Sequence, residues 1–470
     1  MFIGRICEKK QSSDFANKSH ASTINKRHIP YYDFFLYNSS MKKSVFIIIL
    51  SLMLFSCKEK KDLHEKNSAV TQNTPESTEK MQENAIKEFV RSLSDDEKIS
   101  QIFLVNIDGN KKFHAVEKTD GGKPLVPGGC LLFSYNIAGT PEETAAFISS
   151  IRDFYAENKS VPPYIAIDQE GGDVNRLRKM TSRLDSQKWV AEHFDTNHAR
   201  QLYSAQAEQL RLLGINMNLA PVVEIENDSN SAFLGTRSFG GAEKTLAYAP
   251  EEICGYEEHS VATVLKHFPG NSSTDPHTGL PEIKTTKTEL EEKYILPFRK
   301  LLAQSSAVLM SHAIIKVTDD DAPSAEKSAP ACLSRFWVTE KVRSELGFNG
   351  LILSDDIFMG ALSKNGFPPE KAAVQALEAG IDIIMLSEKK FGRVAKFLLE
   401  KASSDEQFGK IIDKAAENVI KYKIKAGILI LDKEKNDLEN PQIFAREGKK
   451  SVFTKDEFTS AYKKGTELYE

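Results

Sequence analysis

Short apolar runs alternate with amphipathic segments along most of this chain. Apolar residues recur at helical spacing over 140–158, 191–213, 288–304, 368–379 and 391–403. The runs between them are apolar throughout, which is typical of buried strands in a parallel sheet. They are IFLV (102–105), CLLF (130–133), YIAID (164–168), INMNLAPV (215–222), VATVLKHF (261–268), AVLMSHA (307–313), GLILSDD (350–356) and IDIIML (381–386). Eight such strand–helix units predict an α/β protein with one (β/α)8 TIM-type barrel domain over residues 85–425.

The alternative architecture for this pattern is an open, doubly wound sheet. Four of the predicted strands end in polar residues, namely Asp168, Lys266–His267, His312 and Asp355–Asp356, and Glu224 lies just past the fourth strand. In a barrel the carboxyl ends of the strands surround one mouth, where active sites lie, whereas an open sheet spreads them along an edge. We therefore favour the barrel and expect these polar residues to face one another.

Taken singly, the polar residues have ordinary structural explanations. Asp355 or Asp356 can cap the helix that follows, although capping does not account for both. Asp168 precedes Gly171–Gly172, which suits either a tight turn or a close approach to a ligand. A loop arginine such as Arg237 is most often solvated, and the lysine–histidine pair can form ion pairs in the core. A functional interpretation therefore depends on all of these polar residues taken together.

The segment KHFPGNSSTDPH, residues 266–277, adds two further ionisable groups. Asp275 and His277 are separated only by Pro276, which narrows the backbone freedom of the pair. Imidazole titrates near neutral pH, and a carboxylate bonded to one ring nitrogen fixes the tautomer. His277 is therefore a candidate proton donor, with Asp275 as its partner.

Several common catalytic signatures are missing from the sequence. It has no P-loop, no G-x-G-x-x-G after the first predicted strand, no His-x-x-x-His and no G-x-S-x-G. The sequence therefore lacks the motifs typical of phosphoryl transfer, dinucleotide-dependent redox chemistry, zinc hydrolysis and serine hydrolysis. The remaining carboxylates and the histidine suit glycoside cleavage, in which one carboxylate attacks the anomeric carbon while a second group donates a proton.

The chain from Ile86 to Ile424 resembles glycoside hydrolase family 3, in its single-domain β-N-acetylglucosaminidase (β-hexosaminidase) branch. The resemblance is carried, in the family's order, by LSDDEKISQIFLV, VPGGCLLFSYN, IAIDQEGGDVNRL, LAPVVEIE, LGTRSFGG, KHFPGN…DPHTGLP, AVLMSHA, ACLSRFWVTEKVRSELGFNGLILSDDIFM and ALEAGIDIIML. Each segment alone is weakly specific, and it is their common order over most of the chain that identifies the family.

The resemblance implies a role for each candidate residue. Asp355 would be the catalytic nucleophile, His277 the general acid/base and Asp275 the partner of His277. The sugar would be held by Asp168, Arg176, Arg237, Lys266 and His267. The implied reaction retains the anomeric configuration through a covalent glycosyl-enzyme and needs no cofactor and no metal.

The loop that carries His277 departs from the family pattern. That pattern begins Gly-His-Gly or Gly-Asp-Gly, whereas this chain has Gly270-Asn271-Ser272 and a shorter loop before the Asp-x-His pair. Because the loop must bring the histidine over the bound sugar, its shortening bears directly on the reach of His277.

The two ends of the chain differ in composition from the predicted barrel. Residues 41–57, MKKSVFIIILSLMLFSC, resemble a bacterial lipoprotein signal with Cys57 as the lipidated residue, and an uncut signal anchor is the alternative. Residues 1–40 are interpreted as a misassigned upstream extension, residues 58–84 as a disordered tether and residues 426–470 as a polar C-terminal tail. The signal predicts an extracytoplasmic protein that is lipid-anchored to a bacterial membrane.

Three functional hypotheses follow from the sequence. We favour an exo-β-N-acetylglucosaminidase whose substrates are N-acetylglucosamine-containing oligosaccharides or muropeptides derived from peptidoglycan or chitin. A β-glucosidase or a glycoside phosphorylase on the same fold is the second, because a neutral histidine can tolerate phosphate as the acceptor. A catalytically silent sugar-binding lipoprotein is the third. The formal net charge of −4 over 470 residues does not indicate a nucleic-acid partner.

Overall fold

A computed structural model describes residues 75–319, 329–432, 442–445 and 453–470. The predicted upstream extension, the predicted signal with Cys57 and the first part of the predicted tether lie outside these described residues. Within the described part of the chain, no helix is both long enough and apolar enough to cross a membrane.

Eight short strands run parallel to one another and form the central sheet. They are β1 (Phe103–Asn106), β2 (Gly129–Leu132), β3 (Tyr164–Ile167), β4 (Met217–Asn218), β5 (Ala262–Phe268), β6 (Ala307–Met310), β7 (Leu351–Ser354) and β8 (Ile384–Leu386). Each strand pairs with the next from β1 to β7, and β8 pairs with β1. Leu353 of β7 bridges Ile383, directly before β8, so the sheet closes on itself. The predicted (β/α)8 barrel is confirmed, and the open sheet is excluded.

Alternate residues of each strand pack into two different cores. Leu104 of β1 packs inside the barrel with residues such as Leu131 and Leu353. Its neighbours Phe103 and Val105 pack in the layer between the strands and the helices. Because both faces of the strands are covered, the strands are continuous apolar runs in the sequence.

The helices form a layer around the barrel. The α-helices are Pro75–Ser92, Asp95–Gln101, Pro141–Glu157, Gln187–His193, Thr196–Leu213, Ser231–Leu234, Ala242–Glu257, Lys287–Glu289, Leu296–Leu301, Gly360–Ser363, Pro369–Ala379, Gly392–Ser404, Glu406–Lys425 and Lys455–Glu467. Leu290–Ile295 and Phe336–Glu345 are π-helical, and Ser134–Asn136, Leu302–Gln304 and Ala331–Leu333 are 3₁₀ turns. Four two-stranded pairs lie outside the barrel: Glu117–Lys118 with Pro124–Leu125, Gln169–Gly171 with Val174–Asn175, Glu282–Thr285 with Ile314–Val317, and Leu429–Leu431 with Ile443–Ala445.

One predicted helix is interrupted. The amphipathic pattern over 191–213 predicts a single helix, but the structure has Gln187–His193 and Thr196–Leu213. Phe194 between them is extended, with φ −112° and ψ 151°. Asp195 then caps the second helix, because its side chain accepts a hydrogen bond of 2.8 Å from the backbone N–H of His198. A capping residue inside an amphipathic pattern therefore marks a break that periodicity does not show.

The helix Glu406–Lys425 covers the amino end of the barrel. Val419 and Tyr422 of this helix join the interior cluster of the barrel. The Tyr422 ring meets the Tyr164 ring edge-on, with 5.6 Å between centroids. This helix therefore covers the interior of the barrel at the amino ends of the strands.

Both predicted terminal segments need correction where the structure describes them. Residues 75–84, predicted as tether, belong to the helix Pro75–Ser92, whose later turns bury Ala85, Ile86 and Val90. Proline is well tolerated in a first helical turn, so the helix extends into the polar sequence. In the predicted polar tail, the helix Lys455–Glu467 buries Phe458 and Ala461, because its few apolar residues share one face.

Candidate active site

A cavity of about 360 Å³, here called the carboxyl-end cavity, opens where the barrel strands end. Of the eight candidate residues, seven line it: Asp168, Arg176, Arg237, Lys266, His267, His277 and Asp355. The eighth, Asp275, is not a lining residue but is hydrogen-bonded to His277, which is. The structure therefore brings together side chains from β3, β5, β7 and the loops that follow the strands.

Asp355 follows β7 and is buried, with 7% of its surface exposed. Its carboxylate accepts a hydrogen bond of 2.8 Å from the backbone N–H of Asp356. Burial raises the pKa of Asp355, but the imidazoles of His312 and His267, that N–H and Lys266 together lower the pKa below its usual value. The carboxylate is therefore anionic at the wall of the cavity.

Asp356 does not cap the helix Gly360–Ser363 that follows it, because the N-cap residue of that helix is Met359 and the cap has no side-chain hydrogen bond. The Asp356 carboxylate accepts a hydrogen bond of 3.0 Å from the backbone N–H of Phe358, and the Asp356 carbonyl accepts one of 3.0 Å from His312 Nε2. Burial raises the pKa of Asp356. The neighbouring aspartates are thus held in opposite electrostatic environments, and Asp355 is the one stabilised as an anion.

Asp275 and His277 form a pair on an exposed loop. His277 Nδ1 donates to Asp275 Oδ1 at 2.8 Å, and the backbone N–H of His277 donates to the same oxygen at 2.9 Å. These two hydrogen bonds lower the pKa of Asp275. The His277 side chain is 69% exposed, so its Nε2 is free to meet a substrate at the cavity.

The loop that carries this pair is attached to the barrel at both ends. Near its start, the Asn271 backbone N–H donates to Glu224 Oε2 at 2.6 Å. Near its end, the Pro276 carbonyl accepts a hydrogen bond of 2.9 Å from Ala361, in the segment that follows Asp355. The shorter loop therefore still brings His277 to the cavity that contains Asp355.

Lys266 lies at the centre of a buried charge cluster. Its Nζ is 2.8 Å from Asp168 Oδ1 and 2.6 Å from Glu170 Oε1. Arg237 binds Glu170 through two hydrogen bonds of 2.8 Å. Burial raises the pKa of Glu170, but Lys266 and Arg237 outweigh burial and hold the pKa far below its usual range. The two carboxylates in turn raise the pKa of Lys266 although burial lowers it.

His267 is oriented by Glu224, which follows β4. His267 Nδ1 donates to Glu224 Oε1 at 2.6 Å, and Asn271 Nδ2 donates to the same oxygen at 3.1 Å. Because the carboxylate accepts from Nδ1, His267 directs Nε2 toward the cavity. One buried glutamate thus fixes both a cavity histidine and the start of the His277 loop.

Two arginines approach the cavity over aromatic rings. The Arg176 guanidinium lies 5.5 Å from the centroid of Phe133, and that of Arg237 lies 5.7 Å from the centroid of Phe233. Arg176 Nη2 is 3.8 Å from Asp168 Oδ2. In contrast with Arg237, Arg176 has only this long contact to a carboxylate among the described residues, so most of its donors remain available to a ligand.

Sequence reasoning missed Glu170 and Asn271 as parts of the site, and it placed Glu224 just past the fourth predicted strand without giving it a role. Glu170 stands two residues after Asp168, and Glu224 stands two residues after the predicted fourth strand, so strand-end position was a usable signal for both. Asn271 had no signal besides its place in the loop. Within the described part of the chain, no group of three or more His, Cys, Asp or Glu side chains could hold a metal ion.

Comparison with known proteins agrees with this geometry. Residues 94–422 match the family described as glycosyl hydrolase family 3 N terminal domain. A β-hexosaminidase of Tolumonas auensis is 34% identical over 275 residues, which cover 57% of this chain and 78% of that protein.

Two solved structures are similar to this one. One is a glycoside hydrolase family 3 β-N-acetylglucosaminidase from Paenibacillus sp., with TM-score 0.65 and 27% identity, over 80% of this chain and 69% of that one. The other is a β-N-acetylhexosaminidase from Beutenbergia cavernae, with TM-score 0.60 and 25% identity, over 71% of this chain and 99% of that one. With a closed barrel, a matching family domain and carboxylates at the expected strand ends, the chain belongs to glycosyl hydrolase family 3.

Proposed function

We propose that this glycoside hydrolase is a retaining exo-β-N-acetylglucosaminidase that removes terminal non-reducing β-linked N-acetylglucosamine from peptidoglycan- or chitin-derived fragments. The observation that carries the proposal is a single cavity with a buried anionic carboxylate, Asp355, and an exposed imidazole–carboxylate pair, Asp275–His277. These are the two kinds of group that glycoside cleavage needs. The names of the similar proteins support the N-acetylglucosamine preference.

In the first step, Asp355 attacks the anomeric carbon as the glycosidic bond breaks. His277 gives the proton on Nε2 to the departing oxygen, and Asp275 keeps its hydrogen bond to Nδ1. The product of this step is a glycosyl ester on Asp355, with neutral His277 and a released alcohol. The lowered pKa of Asp355 serves this step, because only the ionised carboxylate is a nucleophile.

In the second step, neutral His277 accepts a proton from a water molecule at Nε2. The resulting hydroxide attacks the anomeric carbon and displaces Asp355, which leaves as a carboxylate. His277 is again protonated, so the enzyme returns to its starting state. Two inversions at the same carbon give net retention.

The charge cluster around Lys266 is suited to hold the sugar. The Lys266 ammonium has three donors and uses two of them on Asp168 and Glu170. Among the residues that the structure describes, Asp168 Oδ2 has only its 3.8 Å contact with Arg176, so this oxygen can accept from a sugar hydroxyl. We assign Asp168, Arg176, Arg237, Lys266 and His267 to contacts with the N-acetylglucosamine ring.

We also propose that the chain is held outside the cytoplasm by a lipid on Cys57. The support is the sequence of residues 41–57, with its lysine pair, apolar run and cysteine. Metabolic labelling with an alkyne-bearing fatty acid tests this in a bacterial host. We expect label on the full chain but not on Cys57→Ser; equal labelling of both would refute the assignment.

The catalytic proposal is tested with 4-nitrophenyl N-acetyl-β-D-glucosaminide and the matching β-D-glucoside, with and without phosphate. We expect release from the N-acetyl substrate alone, independent of phosphate, and its loss in His277→Ala. Release from the glucoside would indicate a β-glucosidase, and phosphate-dependent formation of a sugar phosphate would indicate a phosphorylase. Binding of N-acetylglucosamine without release from either substrate would indicate the silent sugar-binding protein.

A further inference from the structure

The loop after β3, residues 168–186, carries three of the charged residues at the cavity and is here called the substrate loop. It leaves β3 as a hairpin, Gln169–Gly171 paired with Val174–Asn175. Asp168 directly precedes its first strand, Glu170 lies in that strand, and Arg176 directly follows the second. Residues 177–186, here called the returning arm, then lead to the helix Gln187–His193.

The returning arm of the substrate loop determines where the hairpin lies. The Leu184 carbonyl accepts hydrogen bonds from the Gly172 N–H at 3.1 Å and from Asn175 Nδ2 at 3.3 Å. Gly171 has φ +97°, and a Cβ there would lie 2.2 Å from the Asp185 carbonyl oxygen. The hairpin and the arm are therefore in direct backbone contact, and a displacement of the arm would displace the residues beside Glu170.

The C-terminal segment, residues 454–470, holds that arm from the other side. Tyr469 Oη accepts a hydrogen bond of 3.3 Å from the backbone N–H of Asp185. The Arg183 guanidinium lies 4.5 Å from the centroid of the Tyr469 ring and 5.1 Å from that of Trp189. These contacts attach the last turn of the chain to the arm.

The helix in the C-terminal segment approaches the arm closely through a glycine. A Cβ on Gly465 would lie 2.2 Å from Ser182 Oγ and 2.9 Å from Ser182 Cβ. Ser182 is itself fixed, since its backbone N–H donates to Gln209 Oε1 at 2.9 Å and its hydroxyl accepts from Gln206 Nε2 at 2.8 Å. Only glycine at position 465 leaves room for this approach.

The segment is also anchored independently of the substrate loop. His198 Nε2 donates to the Leu468 carbonyl at 2.8 Å, and Lys464 pairs with Glu208 at 3.2 Å. Phe458 and Ala461 are buried on the same side of the helix. The segment thus forms a fixed bridge between the helix Thr196–Leu213 and the substrate loop.

We propose that residues 454–470, which lie beyond the family match at 94–422, are a brace that positions the substrate loop, with Tyr469 as a positioning residue for sugar binding. Tyr469 acts through Asp185 and Leu184 on the hairpin that presents Asp168, Glu170 and Arg176. Asp355 and His277 are carried by other loops, so the brace governs binding of the sugar and not the bond-breaking groups. The kinetic part of this inference rests on the proposed function.

The test uses Tyr469→Phe in the full chain, which removes the acceptor for Asp185 and keeps the ring. Loosening a loop that binds the sugar equally in the ground and transition states raises KM and leaves kcat unchanged. We expect KM for 4-nitrophenyl N-acetyl-β-D-glucosaminide to rise about five- to tenfold, with kcat within about twofold, which is the size of one lost hydrogen bond. The inhibition constant of N-acetylglucosamine should rise by the same factor. Lys463→Ala, on the exposed side of the same helix, is the matched control and should change none of these constants.

Hydrogen exchange gives a second readout that does not depend on activity. We expect the Gly172 amide, which Tyr469 does not touch, to exchange about tenfold faster in Tyr469→Phe than in Lys463→Ala, with β5 unchanged in both. If Tyr469→Phe only lowers Tm, and leaves Gly172 exchange and KM at the control values, the brace has no positioning role and the inference is wrong. If the parent chain does not act on this substrate, the proposed function fails, and Gly172 exchange still decides the inference.

Discussion

The barrel has a cavity at each end, and the two are similar in volume but different in content. The carboxyl-end cavity measures about 360 Å³, and the amino-end cavity measures about 390 Å³. The amino-end cavity is lined by Ser306, Asn349, Asn418, Lys421, Lys425 and their neighbours, and none of its described lining residues carries a carboxylate. Cavity volume therefore does not distinguish the two ends, whereas the close pairing of acids with bases at the carboxyl end does, and that pairing supports the proposed active site there.

Two buried lysines show the same contrast within the core. Lys266, at the carboxyl end, lies between two carboxylates, and its pKa is raised. Lys423, at the amino end, donates to a single amide oxygen, Gln101 Oε1, at 2.6 Å. Burial lowers the pKa of Lys423 to about 7. The protein thus stabilises a buried charge at the end that carries the proposed sugar site and leaves a buried amine without a carboxylate partner at the other.

Removal of the proposed nucleophile at the carboxyl end of the barrel should have the largest effect on activity. Asp355→Ala deletes the carboxylate that we propose as the nucleophile, so we expect kcat to fall by about 10⁴-fold or more. Steady-state kinetics measures this loss, and calorimetry should still detect N-acetylglucosamine, because the Lys266 cluster is intact. Activity within tenfold of the parent would show that another residue is the nucleophile.

Glu170→Gln should cost the most stability. The substitution leaves Lys266 and Arg237 buried with one fewer anionic partner, and breaking such a pair costs about 3–5 kcal/mol. Because the folded-state pKa of Glu170 is lowered, its stabilisation is present at neutral pH and is lost as the pH falls below about 4. Denaturant unfolding should therefore show a large deficit at pH 7 that narrows toward pH 3. A pH-independent deficit would mean that the charge of Glu170 is not what stabilises the cluster.

Lys423→Met tests the opposite end and should be stabilising. A buried amine is replaced by an apolar chain of similar length, and we expect a gain on the order of 1–4 kcal/mol at pH 6. Between pH 7 and about 10, the unfolded chain binds a proton at Lys423 that the folded chain does not, so parent stability rises with pH. The gain should therefore shrink between pH 7 and pH 10. A loss of stability at every pH would show that the bond to Gln101 outweighs desolvation.

The barrel was predictable from the sequence because burial on both faces makes its strands continuous apolar runs. Strand-end position also predicted which polar residues would meet, including Asp168, Lys266 and Asp355. Contacts between loops that are far apart in the chain were harder to predict. Glu170 gives no sign in the sequence that it lies between Lys266 and Arg237, since that contact joins loops far apart in the chain.

The terminal segments were mispredicted for a related reason. Composition identifies residues that lack a core of their own, but not residues that pack onto another element. In residues 454–470, the buried residues Phe458, Ala461 and Gly465 share one helical face. The helix Thr196–Leu213, against which this segment packs, is far away in the sequence, so composition alone does not predict the contact. Low hydrophobicity was therefore a poor guide to which residues pack against the barrel at both ends of the described chain.

Lys421→Ala should have the smallest effect and sharpens the comparison between the cavities. Lys421 lines the amino-end cavity and is exposed, with no carboxylate among the other described lining residues. We expect kcat/KM within about twofold of the parent and a change in unfolding free energy within about 0.5 kcal/mol, as for most surface substitutions. Arg176→Ala is the matched change at the carboxyl-end cavity and should raise KM while leaving stability nearly unchanged. If Lys421→Ala lowered kcat/KM as much as Arg176→Ala, the amino-end cavity would also take part in activity. The presence of carboxylates in one cavity and their absence from the described lining of the other would then not indicate which cavity is the active site.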